Sequence, residues 1–104
     1  MKFKRGVKAI GIRPELTIAL VVADSVWKSN GEDLVVTSLN DSNHSKSSLH
    51  YAGQAADLRV RYFDESVRKS VADELRDALG NSPDYDVVLE SDHIHLEYQP
   101  KRQK

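Results

Sequence analysis

Two stretches of this chain carry apolar residues at the three-to-four-residue spacing of an amphipathic helix, which limits the folds open to it. Leu16, Leu20, Ala23 and Trp27 form the first stripe, and Val67, Val71, Leu75, Ala78 and Leu79 form the second. Pro14 suits the first turn of a helix, where its missing N–H is harmless and its φ is preset, and Asn30-Gly31 supplies a stop. The spacing therefore predicts a helix over 14–29. Asp64 or Ser66 can cap the second helix, and Gly80 ends it.

Short β-type runs surround these helices. DLVVTS (33–38) reads as a strand buried on both faces, and the Asn/Ser/Asp-rich stretch 39–48 as a loop. AADLRVRY (55–62) alternates apolar with charged residues from Leu58 on, as a strand with one wet face does, and YDVVLES (85–91) and HIHLEY (93–98) are two more strands. Within residues 2–12, Val7, Ile10 and Ile12 are placed to face a core from a short strand or extended arm. This order predicts an α+β fold: a small, largely antiparallel sheet with both helices packed on one face and a cleft on the other. With 104 residues, a single domain spanning 1–104 is expected.

Composition narrows the chemistry. There is no cysteine, which excludes thiolate catalysis, disulfide scaffolds and cysteine-based metal sites, so a transition metal would need histidine and carboxylate ligands. Fifteen Lys+Arg against 16 Asp+Glu give no global reason to expect nucleic acid as partner. No stretch approaches the roughly 20 apolar residues of a membrane span. The basic start is separated from the apolar run 16–23 by Arg13, Pro14 and Glu15, which does not suit a signal peptide. The expectation is a monomer made in the cytoplasm without its own export signal and without membrane contact. The basic ends, among them Lys4, Arg5 and Lys8, are expected to be solvated tails.

All four histidines fall in two windows, His44/His50 and His93/His95. His50 and Asp57 stand seven positions apart, and His93 and His95 share one face of a strand by its period of two. Taken together as ligands of a divalent cation, His50, Asp57 and His95 leave a fourth tetrahedral position open, as catalytic rather than structural zinc does. Zinc suits a mixed nitrogen and oxygen set and lowers the pKa of water towards about 7. Asp92, at the start of the same strand, is then the candidate general base, and His93 can donate to a developing oxyanion. In a second register His93 is itself a ligand and Glu90 the acid/base. Tyr51 can line the cleft, Gly53 suits a loop passing close to the site, and Glu97 is placed to orient a histidine from outside the ligand set.

The pattern S-x-H-x-x-G-x-A-x-D in SSLHYAGQAAD, followed by D-H-x-H in SDHIHLE, resembles the D-Ala-D-Ala carboxypeptidase and VanY/VanX type of zinc peptidase. That family shares a fold with lysostaphin-type peptidases and the hedgehog signalling domain, and includes phage endolysins. The resemblance runs from about residue 33 to 98. It implies the hedgehog/DD-peptidase fold, a bound Zn2+ on His50, Asp57 and His95, Asp92 as general base, His93 assisting the transition state, and Ser48 beside the substrate. The implied activity is hydrolysis of peptidoglycan stem peptides, at the cell wall after release by lysis or delivery by a partner. Many such peptidases carry an arginine shortly after the Thr-Ser pair. Here Leu39, Asn40 and Asp41 follow Thr37-Ser38, which leaves endopeptidase cleavage open beside carboxypeptidase action. Two rivals stand against this reading. HNH nucleases also begin their motif with an Asp-His pair, but they need a helix after it, where this chain has Pro100 and a basic tail. A catalytically inactive zinc-binding module of the same fold, used for assembly or cell-wall interaction, is the alternative, and retention of both Asp92 and His93 argues for the enzyme.

Overall fold

A computed structural model describes residues 1–43 and 52–100. Seven elements follow in the order β1 (Lys2–Phe3), α1 (Pro14–Ser29), β2 (Val35–Asn43), β3 (Ala52–Arg59), α2 (Glu65–Ala78), β4 (Tyr85–Leu89) and β5 (His93–Tyr98). They build one five-stranded sheet in the order β1-β2-β3-β5-β4. Every pairing is antiparallel except the short parallel one between β1 and β2. The α+β class and the largely antiparallel sheet agree with the pattern in the sequence.

Both helices cover the same face. Leu16, Leu20, Ala23 and Trp27 of α1 and Val71, Ala72 and Leu75 of α2 pack on Val36, Ala56, Leu58, Val87, Ile94 and Leu96 of the sheet. Trp27 is wholly buried, and its indole N–H donates to the Arg59 carbonyl at 2.9 Å, so the largest core side chain also fixes the end of β3. Pro14 opens α1, and the chain leaves it through Gly31 at φ +86, a conformation glycine adopts without strain. Ala78 is exposed rather than part of the second stripe, because Ala72 faces the core instead.

Four further expectations need correction. The first is the amino-terminal arm: β1 is confined to Lys2–Phe3, Phe3 and Ile12 pack on the core, Val7 is half-buried, and Ile10 is 93% exposed. Gln54 explains the path of this segment. Its buried amide accepts from the Arg13 N–H at 2.8 Å and donates to the Gly11 carbonyl at 3.1 Å, tying an otherwise irregular stretch to β3. The second concerns 33–38, which has only one buried face, since Leu34 and Val36 are enclosed and Val35 and Thr37 are not. The third is the start of the polar loop: β2 continues through Asn43 because backbone pairing with Ala52–Ala56 holds it extended despite its weak β propensity. Fourth, Gly53 lies in that ladder, opposite Ser42, and not in a loop.

Candidate functional site

The helix-free face of the sheet carries the titratable residues. By the alternation of strands, Leu58, Ile94 and Leu96 point into the core, so Asp57, His93, His95 and Glu97 point the other way. Sheet order decides what meets what. β5 lies between β3 and β4, and its register sets Asp57 opposite His95 and Arg59 opposite His93.

Asp57 Oδ1 lies 3.0 Å from His95 Nδ1 and 3.7 Å from His93 Nε2. On the far side of His95, Glu97 Oε1 lies 3.1 Å from Nε2, so both ring nitrogens face carboxylates. Burial pushes the His95 pKa down, but the hydrogen bonds to Glu97 and Asp57, with the charges of both, outweigh it and hold it above its ordinary value. At the start of β5, Asp92 Oδ1 accepts from His93 Nδ1 at 2.9 Å. That bond is the main reason the Asp92 carboxyl titrates below its ordinary value, with the nearby charges of His93 and Arg61 adding to it. The result is a chain of polar contacts, Asp92–His93–Asp57–His95–Glu97, running across two strands.

The turn that presents Asp92 and His93 is braced from behind. Arg68 of α2 donates from Nε to the Val60 and Phe63 carbonyls at 3.2 and 2.9 Å, and from its terminal nitrogens to Ser91 and Arg61 carbonyls, both at 3.2 Å. The Glu90 N–H donates to the His93 carbonyl at 2.8 Å and closes the turn.

The expected site residues thus divide into two groups. Asp57, His95 and His93 are brought together on one face, with Asp92 beside His93 in the turn before β5. His50, Ser48 and Tyr51, together with His44, lie outside the described residues. Among the described residues no group of three histidine or acidic side chains is arranged to hold a metal ion. Of the three expected ligands, Asp57 and His95 lie at hydrogen-bond distance of one another. Ligand atoms about 2.0–2.1 Å from one zinc ion stand about 3.3 Å apart, close to the 3.0 Å between Asp57 Oδ1 and His95 Nδ1. Glu97 holds the other ring nitrogen of His95 and orients the imidazole, as carboxylates commonly do for metal-bound histidines.

A feature missed in the sequence lies beside this cluster. Lys4, Thr37, Arg59, Arg61, Asp92 and His93 line a depression of about 180 Å³. It continues into a wider one bordered by Lys4, Arg5, Lys8 and Thr37. The signal was present in the alternation of Leu58-Arg59-Val60-Arg61, but nothing in the sequence told which strand ends would adjoin the amino terminus.

The fold and this cluster make a small α+β domain with a histidine–carboxylate cluster on the sheet face that, among the described residues, no helix covers. Comparison with models of known protein families, with curated proteins and with solved structures finds no match to this chain. Among the described residues, no helix is long and apolar enough to cross a membrane.

Proposed function

We propose that this chain is a zinc-dependent metallopeptidase that hydrolyses peptide bonds in the stem peptides of peptidoglycan, on a fold of the hedgehog/DD-peptidase type. The observation that carries the proposal is the 3.0 Å approach of Asp57 Oδ1 to His95 Nδ1 on the open face, with His93 and Asp92 adjoining. A carboxylate and two imidazoles converge there on strands whose opposite faces are locked into the core, the rigid mounting a catalytic site needs.

In this reading His50, Asp57 and His95 hold the zinc ion. A zinc ion bound there supplies a Lewis acid for the scissile carbonyl and lowers the pKa of water. Asp92, whose carboxyl titrates below its ordinary value because His93 donates to it, takes the proton of the attacking water. His93 offers its proton to the developing oxyanion, so that charge is met as it forms. Glu97 keeps His95 in register, and Arg68 keeps the turn bearing Asp92 and His93 in place. Ser48 and Tyr51 are assigned to the substrate side of the cleft.

The test is digestion of purified peptidoglycan by the full chain, with and without a chelator, together with metal analysis and the Asp92→Ala variant. One zinc per chain and a peptidase activity lost on chelation and in Asp92→Ala are expected. Hydrolysis that survives chelation or Asp92→Ala overturns the mechanism. Stoichiometric zinc without hydrolysis of any stem peptide favours the catalytically inactive zinc-binding module, used for assembly or cell-wall interaction, instead.

A further inference from the structure

The two helices share a layer but not a surface chemistry. Outside its buried stripe, α2 exposes Glu65, Lys69, Asp73, Glu74 and Asp77, the charged outer face usual for a helix packed on a sheet. α1 differs. Between Glu15 and Lys28 its exposed positions are Thr17, Ile18, Val21 and Ser25, none of them charged, and Ile18 and Val21 are 60% and 57% exposed. The one carboxylate in that span, Asp24, is paired with Lys28 and with the amino-terminal ammonium, both at 3.2 Å. The half-buried Val22 adjoins the exposed pair.

This face lies opposite the core. Leu16, Leu20, Ala23 and Trp27 point into the sheet, so Ile18, Val21 and Ser25, half a turn away, point outward from the helix layer. Glu15 and Lys28 stand at its two ends, about 20 Å apart along the axis at about 1.5 Å per residue. Glu15 forms no ion pair among the described residues. An uncharged middle with opposite charges at its ends is self-complementary when a two-fold axis turns it end for end. Antiparallel pairing sets Glu15 against Lys28 of a second copy, Ile18 against its Ser25, and Val21 against its Val22. The large Ile18 then faces the small Ser25, so the two helices can interdigitate.

We infer that the outer face of α1 is a dimerisation surface whose occupant is a second copy of this chain, packed antiparallel about a two-fold axis beside Val21 and Val22. One helix pair sits at the low end of specific interfaces, so the association belongs at about 1–100 µM. The monomer expected from the sequence is then the form found in dilute solution. Both helices cover the sheet face opposite Asp57 and His95, so the dimer turns that cluster outward in each copy. The pairing does not depend on the peptidase reading. Where that reading holds, two sites on one particle engage a polymeric substrate together.

Sedimentation velocity on the full chain between about 1 and 500 µM tests the association, and thiol cross-linking tests its geometry. A concentration-dependent dimer is expected in wild type, weakened at least about tenfold in V21E while the circular dichroism spectrum stays that of wild type. E15K and K28E should each weaken it by about two- to tenfold, and E15K/K28E should restore it, because the two-fold axis makes each pair twice. The chain has no cysteine, so only introduced thiols can couple. I18C/S25C should form disulfide-linked dimers on mild oxidation, and S70C, on the exposed side of α2, should not. A dimer indifferent to V21E, charge reversals that do not rescue each other, or linkage through S70C as fast as through I18C/S25C overturns the inference. A chain monomeric up to about 500 µM also overturns it and leaves α1 to a partner of another kind.

Discussion

Asp57 and His95 face each other across β3 and β5, with Asp57 Oδ1 3.0 Å from His95 Nδ1. Their flanking residues Ala56, Leu58, Ile94 and Leu96 are all buried, so the core holds both residues to the opposite face of the sheet. Asp57→Asn keeps the shape and removes the charge. In the metal-free protein the His95 imidazole should titrate lower than in wild type, as followed by its proton NMR signals. Zinc binding measured by competition with a chromophoric chelator should weaken by about tenfold or more, since Asp57 is a proposed ligand.

Stability of the metal-free protein should depend on pH through His95. Its folded pKa is raised because the hydrogen bonds to Glu97 and Asp57 outweigh burial, so the folded chain holds the proton more tightly than the unfolded one. The contribution is fully present below the ordinary histidine value of about 6.5 and is lost as pH rises through the raised folded value. Urea midpoints taken with chelator should therefore fall as pH rises above about 6.5. Glu97→Gln should flatten that fall. A midpoint that climbs over this range in wild type contradicts the assignment.

Arg68 should matter more than its position on a helix suggests. It donates to carbonyls of Val60, Arg61, Phe63 and Ser91, and so joins the start of α2 to the turn before β5. Arg68→Met leaves several of these carbonyls without their donor, at about 1–3 kcal/mol. Denaturant unfolding measures the loss, and hydrogen exchange should quicken at residues 90–93 well before it does in β2. If Asp92 and His93 act as proposed, kcat falls while KM changes little.

Trp27→Phe tests the core. The ring still fills most of the space beside Phe63, which it meets edge-on at 6.1 Å, but the Arg59 carbonyl loses its indole donor. A loss of about 1–3 kcal/mol is expected from that unsatisfied acceptor. Trp27→Ala adds a cavity and should cost about 3–5 kcal/mol.

What could be read from residue order is local. The stripe Leu16-Leu20-Ala23-Trp27 with Pro14 and Asn30-Gly31 defined α1 as Pro14–Ser29, and the period of two placed His93 and His95 on one face of β5. The four histidines in two windows, in a chain without cysteine, pointed to His95 and Asp57 before any pairing was known. Periodicity and composition carry these statements because each depends on neighbours a few positions away. The rest was decided by tertiary structure. Insertion of β5 between β3 and β4 is a choice among sheet orders that local pattern does not encode, and it alone sets Asp57 against His95 and Arg59 against His93. The polar 39–43 became strand because a partner ladder satisfied its backbone, and Lys4 came to lie near Arg59 and Arg61 because Phe3 was drawn into the core. Burial and backbone pairing act between residues far apart in the chain, so they settle which side chains meet.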